Sequence, residues 1–291
     1  MLNGTRNKAE ISALIAPFFG FKSFIVIHLY KIIFFSSSNY CYIGGFDGRS
    51  YLNTIRTFNP ITQEWAGVTP MHYRRCFTTA VAMGTDLYVL AGFDGVRRLT
   101  TVEKYCTVTR QWTVVGSLNE QRSDGSAVVH NGKMYIFGGY AGDALNSAEV
   151  YSVETDSWSG IASMRTKRSG ASAVSIPGSN KIMVLGGYNG STRVASVELY
   201  DTETNTWAPG PSMSQERSNF ATCTLENKLY VMGGYTGSTT LRDVEIFDLT
   251  ENTWQFGRPI NAGRSAMKAV CIGKHIEFFF YIQIKLTFVY D

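Results

Sequence analysis

Histidine and cysteine are scarce in this chain, and neither is arranged as a metal site requires. The 291 residues include four histidines and five cysteines, with no CxxC pair and no HxH or HExxH motif. A catalytic metal, a zinc site and a disulfide framework are therefore not expected, and no cofactor is predicted. The odd cysteine count fits reduced thiols in a cytoplasmic protein better than a disulfide-bonded one.

Charged residues are also sparse, and their arrangement excludes further classes of function. They make up 17% of the chain, the net charge is +4, and lysine and arginine form no block. Nucleic-acid binding is therefore not predicted. There is no GxSxG motif, and no Lys-Ser or Lys-Thr follows a glycine loop, so neither a serine nucleophile of that kind nor a phosphate-binding loop is expected. We predict that the chain is not an enzyme.

Glycine and aromatic residues are plentiful by contrast. The 28 glycines and 13% aromatics favour an all-β protein with many turns. Glycines and tryptophans recur in the same phase, with steps of 47 or 48 residues between the glycines. The recurring positions are Gly45, Gly92, Gly139, Gly187 and Gly234, and Trp65, Trp112, Trp158, Trp207 and Trp254. Such a period indicates a repeat architecture in which these residues are structural.

Each repeat predicts four short strands. A run of small residues opened by an arginine precedes an apolar strand that ends at the glycine pair, a glutamate-containing strand and a strand that carries the tryptophan. Four-stranded sheets bury both faces when they pack around an axis, which predicts a β-propeller. We expect the glycines to adopt positive φ or allow close backbone approach, the tryptophans to pack between blades, and the glutamates to accept hydrogen bonds or pair with arginine.

The period, the glycine pair, the VExY motif and the spaced tryptophan resemble the kelch repeat. Segments such as NEQRSDGSAVVHNGKMYIFGGY resemble the kelch-like (BTB-BACK-kelch) adaptor family. The resemblance implies an all-β kelch propeller of five to six blades over residues 40–272. It also implies recognition of a protein substrate for a cullin-3 ubiquitin ligase, a role that needs BTB and BACK domains, which these residues do not contain. An actin-binding kelch protein is the main alternative, and a kelch-type enzyme is the third.

Loops that follow the glycine pair are predicted to bind the partner. Each begins Gly-aromatic-x-Gly and several contain arginine, a composition typical of interface hot spots and suited to an acidic peptide. The resemblance adds the arginine that opens each blade, the aromatic after the glycine pair and the serine before Ala-Glu or Val-Glu. The predicted partner-binding residues are Arg74, Arg75, Arg97, Arg98, Arg122, Arg168, Arg193, Arg217, Tyr140, Tyr188, Tyr235, Ser147 and Ser196.

Positions that recur in every blade carry a structural interpretation as well. Arg122 and Tyr140 are equally consistent with blade building and with ligand contact. Arg97, Arg98 and Arg193 differ between blades, so they are the better candidates for specificity. The blade with Arg74, Arg75, Arg97 and Arg98 is the first choice for contact with an acidic partner.

Residues 1–39 and 273–291 depart from the repeat and are predicted to be non-homologous flanks. Lys22, His28 and Lys31 interrupt the N-terminal apolar run, so no membrane anchor or secretion signal is predicted. Two closures remain open. Either the strand after Arg264 completes the blade begun at Tyr40, giving five blades, or the two ends form a sixth, defective blade. The segment IVIHLYKIIF is a candidate surrogate strand.

Overall fold

The computed structural model describes residues 31–35, 39–59, 61–272, 275–279 and 286–289. These residues form 23 short strands, and no helix occurs among them. Within each sheet the strands pair antiparallel in chain order, so every sheet is an up-and-down meander. The short β-branched and aromatic runs, each bounded by glycine, asparagine or threonine turns, favour this pattern.

Five sheets have four strands each and form blades 1 to 5. Blade 1 contains β1 (Lys31–Phe35), β2 (Asn39–Ile43), β3 (Ile55–Asn59) and β4 (Glu64–Val68). Blade 2 contains β5 (Thr79–Met83), β6 (Asp86–Leu90), β7 (Val102–Cys106) and β8 (Gln111–Val115). Blade 3 contains β9 (Ser126–His130), β10 (Lys133–Phe137), β11 (Ala148–Ser152) and β12 (Ser157–Ile161). Blade 4 contains β13 (Ser172–Ser175), β14 (Lys181–Leu185), β15 (Val197–Asp201) and β16 (Thr206–Gly210). Blade 5 contains β17 (Ala221–Leu225), β18 (Lys228–Met232), β19 (Val244–Asp248) and β20 (Thr253–Phe256).

The sixth sheet has three strands among the described residues: β21 (Lys268–Ile272), β22 (His275–Phe279) and β23 (Leu286–Val289). Strand β21 pairs with β22 and not with β2, so the first of the two closures is not adopted. A sixth sheet forms, but its described strands all come from the C-terminal end, whereas the second closure expected a contribution from both ends. Strand β1 lies partly within the predicted surrogate segment, pairs with β2 and contacts β5 and β21. The predicted all-β propeller is therefore confirmed. Strand β1 falls within the predicted N-terminal flank, and β22 and β23 fall within the predicted C-terminal flank.

The first strands of blades 3, 4 and 5 pack against one another through small side chains. The hydroxyl of Ser126 accepts a hydrogen bond from the Ala173 amide at 2.8 Å, which links blades 3 and 4. The hydroxyls of Ser172 and Thr222 are 2.6 Å apart and link blades 4 and 5. Alanine, serine and threonine are needed here because first strands converge on the axis, where larger side chains would overlap.

The first strand of blade 2 begins later than the sequence predicts, at Thr79 and not at Arg75. The cause is Phe77, whose φ of 51° interrupts the extended backbone. The equivalent residues of blades 3 to 6 also have positive φ: Asp124, Gly170, Asn219 and Ala266. Each donates its amide to the carbonyl of the equivalent residue one blade earlier, at 2.8–3.0 Å. This interruption places the arginine outside the strand and directs it beneath the neighbouring loop.

The core is divided into apolar clusters, each between two neighbouring blades. Trp112 and Trp158 are buried in two of them, and each ring packs on a tyrosine of its own blade at 5.1–5.2 Å. Each indole N–H also donates to the carbonyl one residue beyond the fourth strand of the preceding blade. These bonds are Trp112 to Thr69, Trp158 to Gly116, Trp207 to Ala162 and Trp254 to Pro211, at 2.7–2.9 Å. Trp65, in blade 1, is 47% exposed.

The two glycines of each pair differ in backbone conformation. In blade 3, Gly138 has a φ of 57°, a left-handed conformation that alanine tolerates at some cost, and Ala91 occupies the equivalent position of blade 2 with a φ of 59°. The second glycine, Gly139, has a φ of 111°, which side chains rarely adopt. A Cβ would overlap a neighbouring carbonyl oxygen at both glycines of blade 3, that of Arg168 at Gly138 and that of Ser123 at Gly139, so it is the φ of the second position that agrees with the substitution of only the first.

Two cysteines correct the expectation that all five are reduced. Cys223 on β17 and Cys271 on β21 are joined by a disulfide, with their Cα atoms 6.1 Å apart. Their spacing of 48 residues equals one repeat, so they occupy equivalent positions on neighbouring first strands, a signal that sequence reasoning missed. Cys41, Cys76 and Cys106 are free, and burial raises the pKa of Cys41 and Cys76 to about 12.

Candidate functional site

One end of the propeller carries the loops that contain most predicted site residues. These are the loops between the second and third strands of a blade and the loops that enter the next blade, and together they form the loop face. The two kinds of loop are joined by backbone hydrogen bonds, such as Arg75 N to Leu52 O at 3.0 Å and Arg168 N to Leu145 O at 2.8 Å. The loop face is therefore held by the blades and is not a set of independent loops.

Beneath the loop face, the arginine that opens each of blades 2 to 5 forms a buried network with the recurring glutamate. In blade 3, Arg122 Nη2 donates to Glu149 Oε1 at 2.8 Å, and Nη1 donates to the carbonyl oxygen of Gly138 at 2.7 Å. The other glutamate oxygen accepts the amide of Asn119, three residues before the arginine, at 2.7 Å. One carboxylate thereby joins the entering loop, the arginine and the third strand.

The same arrangement recurs in blades 2, 4 and 5. The pairs are Arg75 with Glu103, Arg168 with Glu198 and Arg217 with Glu245, at 2.5–3.0 Å. The arginine side chains are 0% exposed and the glutamate side chains at most 6%. Burial lowers the pKa of Arg75, Arg168 and Arg217, and the paired glutamate opposes this shift. Arginine, glutamate and glycine pair recur in phase because they form one unit.

Arg75, Arg122, Arg168 and Arg217 are predicted to form a ring of partner contacts, and the structure buries all four side chains, so their contact with a partner stays a prediction. Their guanidinium groups are used within the blade, because each already donates to a carboxylate and a carbonyl that would otherwise be buried without partners. The two predicted serines belong to the same network. Ser196 accepts from Arg168 Nη2 at 2.8 Å, and Ser147 donates to Glu120, which also lies 3.4 Å from Arg122 Nη2.

Two other arginines, Arg98 and Arg193, lie half-buried on the loop face between aromatic rings. The guanidinium carbon of Arg98 is 4.5 Å from the centre of the Tyr140 ring and 5.6 Å from that of Phe93. That of Arg193 is 4.8 Å from Tyr188 and 4.9 Å from Tyr235. The Nε atom of each arginine is buried and has no hydrogen-bond partner within the described part of the chain, a feature that Arg75, Arg122 and Arg217 share.

Each of these arginines spans a junction between blades, a relationship that the sequence analysis missed. The residue at this position pairs with the aromatic of its own blade and reaches the aromatic of the next. Tyr51 occupies it in blade 1, and its ring lies 5.5 Å from that of Phe93. Ala144 and Thr240 occupy it in blades 3 and 5. Two features of the sequence could have identified this position. It lies four or five residues after the aromatic of each loop, and its residue type changes between blades.

The remaining predicted loop residues lie on the same face with less defined surroundings. Arg74 and Arg97 are exposed, and Arg97 lies 3.8 Å from Asp94. Tyr188 and Tyr235 are half-buried, and each hydroxyl donates to a glycine carbonyl of its own loop at 2.6 Å. The junction between blades 3 and 4 is neutralised by an exposed ion pair of Lys167 with Asp143.

A pocket of about 470 Å³ opens between blades 4 and 5 beside Arg193. Its lining is polar and includes Ser191, Thr192, Glu216, Thr236 and Gly237. Gly237 matters for its shape, because the position where its Cβ would stand is 3.5 Å from the Arg193 side chain. The pocket therefore presents one guanidinium group, one carboxylate and several hydroxyls to a ligand.

Asp124 is a further titratable group near the axis that sequence reasoning did not single out. It belongs to the chain of positive-φ residues, and its carboxylate accepts the Ser123 hydroxyl at 3.0 Å. Burial raises its pKa to about 6, although the charges of Lys268 and Arg98 and the Ser123 hydrogen bond oppose the shift. Asn219 takes the equivalent place in blade 5.

The described residues contain no group of three or more histidine, cysteine or acidic side chains placed to hold a metal ion. Among the same residues, no helix is long and apolar enough to cross a membrane.

The comparisons with known proteins agree with the geometry. A family model for the Kelch repeats of the KLHDC2/KLHL20/DRC7 domain matches residues 30–167 and 163–282. The chain belongs to this Kelch-repeat family. Kelch propellers are generally protein-interaction modules and not enzymes, so the chain is a protein-binding module. A solved structure titled "Structure of YjhT" aligns with a TM-score of 0.75 at 14% identity, covering 87% of this chain and 90% of that chain, which shows the fold alone. No curated protein sequence matched.

Proposed function

We propose that the Kelch propeller recognises an acidic segment of a protein substrate through its loop face. The observation that carries this proposal is the pair of arginines, Arg98 and Arg193, which lie between aromatic rings and are only half-buried, so that a ligand can reach their guanidinium groups. A ligand carboxylate that accepts from such a group offsets the cost of a donor left without a partner. Such a carboxylate also gains from a charge-assisted hydrogen bond.

The aromatic rings prepare these arginines for binding. A cation over an aromatic face is stabilised by about 0.5–2 kcal/mol, and the rings limit the conformations of the side chain. Less side-chain entropy is then lost when a ligand binds. Tyr140, Tyr188 and Tyr235 also add apolar contact area beside the charge, which is the composition of binding hot spots.

The charge of the loop face favours a partner that carries acidic groups. Arg74 and Arg97 add exposed positive charge near blade 2, while the Lys167–Asp143 pair adds none at the junction of blades 3 and 4. The Arg98 and Arg193 positions lie on either side of that neutral junction. We therefore expect a segment with acidic groups separated by neutral residues, and binding that weakens as salt is raised.

The resemblance to kelch-like adaptors supports a specific assembly. We propose that the propeller selects substrates for a cullin-3 ubiquitin ligase in the cytoplasm, with cullin-3 bound through BTB and BACK domains of a longer product. Affinity purification of the propeller fused to its genomic upstream region is expected to recover cullin-3. Recovery of actin filaments without cullin-3 would replace this proposal with a cytoskeletal role.

The acidic-segment proposal is tested by selection from a phage-displayed peptide library. Peptides captured by the purified chain are expected to be rich in aspartate and glutamate, and their capture is expected to fall in the Arg98→Ala, Arg193→Ala double variant. Arg110→Asn is the matched control, because Arg110 is exposed on the β7–β8 turn at the opposite end and its φ of 58° suits asparagine. Selection of neutral or basic peptides, or capture equally reduced by Arg110→Asn, would contradict the proposal.

A further inference from the structure

The disulfide between blades 5 and 6 is a feature that the loop face does not use. Cys223 and Cys271 lie on neighbouring first strands, and their Cα separation of 6.1 Å is within the range that a disulfide spans. Both contribute to the apolar cluster between the two blades, where Tyr230, Ile246 and Met267 are buried. The packing of the blades alone therefore brings the two cysteines together.

Blade 6 has fewer of the recurring stabilising features than blades 2 to 5. Blades 2 to 5 each have a tryptophan bonded to the preceding blade and a buried arginine–glutamate pair. From Lys268 onward the sequence contains no tryptophan and no glycine pair. Strand β21 nevertheless contacts both β17 and β1, so it connects blade 5 to blade 1. A covalent link at β21 thus lies where the closure of the ring has the least other support.

We infer that the Cys223–Cys271 bond is a redox-sensitive link that closes the propeller at blade 6. A small-molecule disulfide forms the bond by exchange. One cysteine thiolate attacks it and releases a small thiol, and the other cysteine thiolate then displaces the second small thiol, so two electrons pass to the small molecule. A dithiol reverses both steps. In a reducing compartment a protein disulfide of this kind typically serves as a redox sensor.

The link is coupled to the loop face by the segment before β21. The Gly234 amide donates to the Arg264 carbonyl at 2.7 Å, and the Arg264 amide donates to Leu241 at 2.9 Å. Gly234 directly precedes Tyr235, which packs on Arg193. Reduction is expected to loosen β21 and, through this segment, the part of the loop face beside Arg193. This last consequence rests on the proposed function.

Hydrogen–deuterium exchange on the whole chain tests the link without any partner. The chain is compared after treatment with oxidised glutathione and after treatment with dithiothreitol. Amides of residues 268–279 are expected to exchange faster in the reduced chain by about tenfold or more, while those of β9 to β12 stay unchanged. Peptide mapping without reduction is expected to recover Cys223 and Cys271 in one linked fragment.

Variants and a binding measurement separate this inference from the proposed function. The effect of dithiothreitol is expected to persist in Cys106→Ser and to vanish in Cys223→Ala. Separate alkylation of both cysteines after oxidation, or equal exchange in the two states, would overturn the inference. If Cys223→Ala does not fold, the oxidised and reduced forms of the unaltered chain decide the result. Because exchange is measured without peptide, a failure of acidic-peptide binding leaves this outcome unaffected.

Discussion

Arginines occupy two kinds of position in this propeller, and the two kinds differ in burial, in the groups that they contact and in how often they recur. The arginine that opens a blade recurs around the ring, is fully buried and pairs with a glutamate. Arg98 and Arg193 occupy a position where other blades have tyrosine, alanine or threonine, and they lie half-buried between aromatic rings. The first set holds the entering loops, and the second leaves its charge available.

The difference shows that residue type alone does not identify a binding residue in a repeat protein. An arginine needed in every blade satisfies buried carbonyl and carboxylate groups that every blade contains. An arginine found in only some blades answers no such general need, so its presence calls for another explanation. Changes at recurring positions should therefore reduce stability, and changes at positions that differ between blades should reduce binding.

The largest expected effect is the loss of a buried glutamate. Glu149→Ala leaves the buried Arg122 with only the partly exposed Glu120 as a carboxylate partner, so we expect the free energy of unfolding to fall by about 3 kcal/mol. Urea unfolding followed by tryptophan fluorescence measures this loss. The control is Glu154→Ala, at an exposed residue of the β11–β12 turn, which should change stability by less than about 0.5 kcal/mol. Equal stabilities of the two variants would show that the buried glutamate contributes no more to stability than an exposed one.

The two glycine positions should differ next. Gly139→Ala forces a methyl group toward the Ser123 carbonyl at a φ that alanine rarely adopts, and should cost about 1–3 kcal/mol. Ala91→Gly relieves a left-handed conformation and should leave stability unchanged or raise it by less than about 1 kcal/mol. Thermal unfolding of both variants measures the difference in stability. Destabilisation by Ala91→Gly would contradict the expectation that glycine fits the first position at least as well as alanine.

The tryptophans provide a smaller effect with an internal control. Trp112→Phe removes the hydrogen bond to the Thr69 carbonyl between blades 1 and 2, and should cost about 1–2 kcal/mol. Trp65→Phe should cost less, because Trp65 is 47% exposed and its indole N–H has no acceptor among the described residues. Equal losses in urea unfolding would show that Trp65 is held as firmly as Trp112.

The smallest effect concerns the pH dependence contributed by Asp124. Its pKa is raised from 3.8 to about 6 in the folded chain, so the protonated form stabilises the fold, and this contribution is lost as pH rises through about 6. Asp124→Asn should therefore gain stability relative to the unaltered chain between pH 4 and pH 7, by about 1 kcal/mol or less. Asparagine fits the left-handed backbone, as Asn219 does in blade 5. A difference in melting temperature that shrinks with rising pH would contradict this account.

The sequence alone was sufficient to predict the four-stranded blades and part of the candidate site. Glycines, glutamates and tryptophans recur in phase because each is fixed by contacts that every blade repeats, such as the Trp158 bond to Gly116. The burial of Arg122 could not be read in the same way, because its spacing is equally consistent with a surface ring. Its burial depends on Phe77 and its equivalents, whose positive φ ends the first strand early.

Contacts between non-repeating residues were missed at the sequence level for a different reason. Cys223 and Cys271 meet only because β17 and β21 are neighbours, and Arg98 reaches Tyr140 only because blades 2 and 3 meet at their loops. The strand at Lys31–Phe35 lies outside the repeat pattern, so its sequence left the closure open. In each case the missing information was the packing of one blade against another.

The most direct test is the affinity of the Arg98→Ala, Arg193→Ala double variant for an acidic peptide selected by the unaltered chain. Fluorescence anisotropy of the labelled peptide measures affinity, and a thermal melt of the same sample measures the fold. Loss of charge-assisted contacts predicts that affinity falls about tenfold or more, while the melting temperature stays within about 2 °C of that of the Arg110→Asn control. An unchanged affinity, with the fold intact, would show that these two arginines do not recognise the partner.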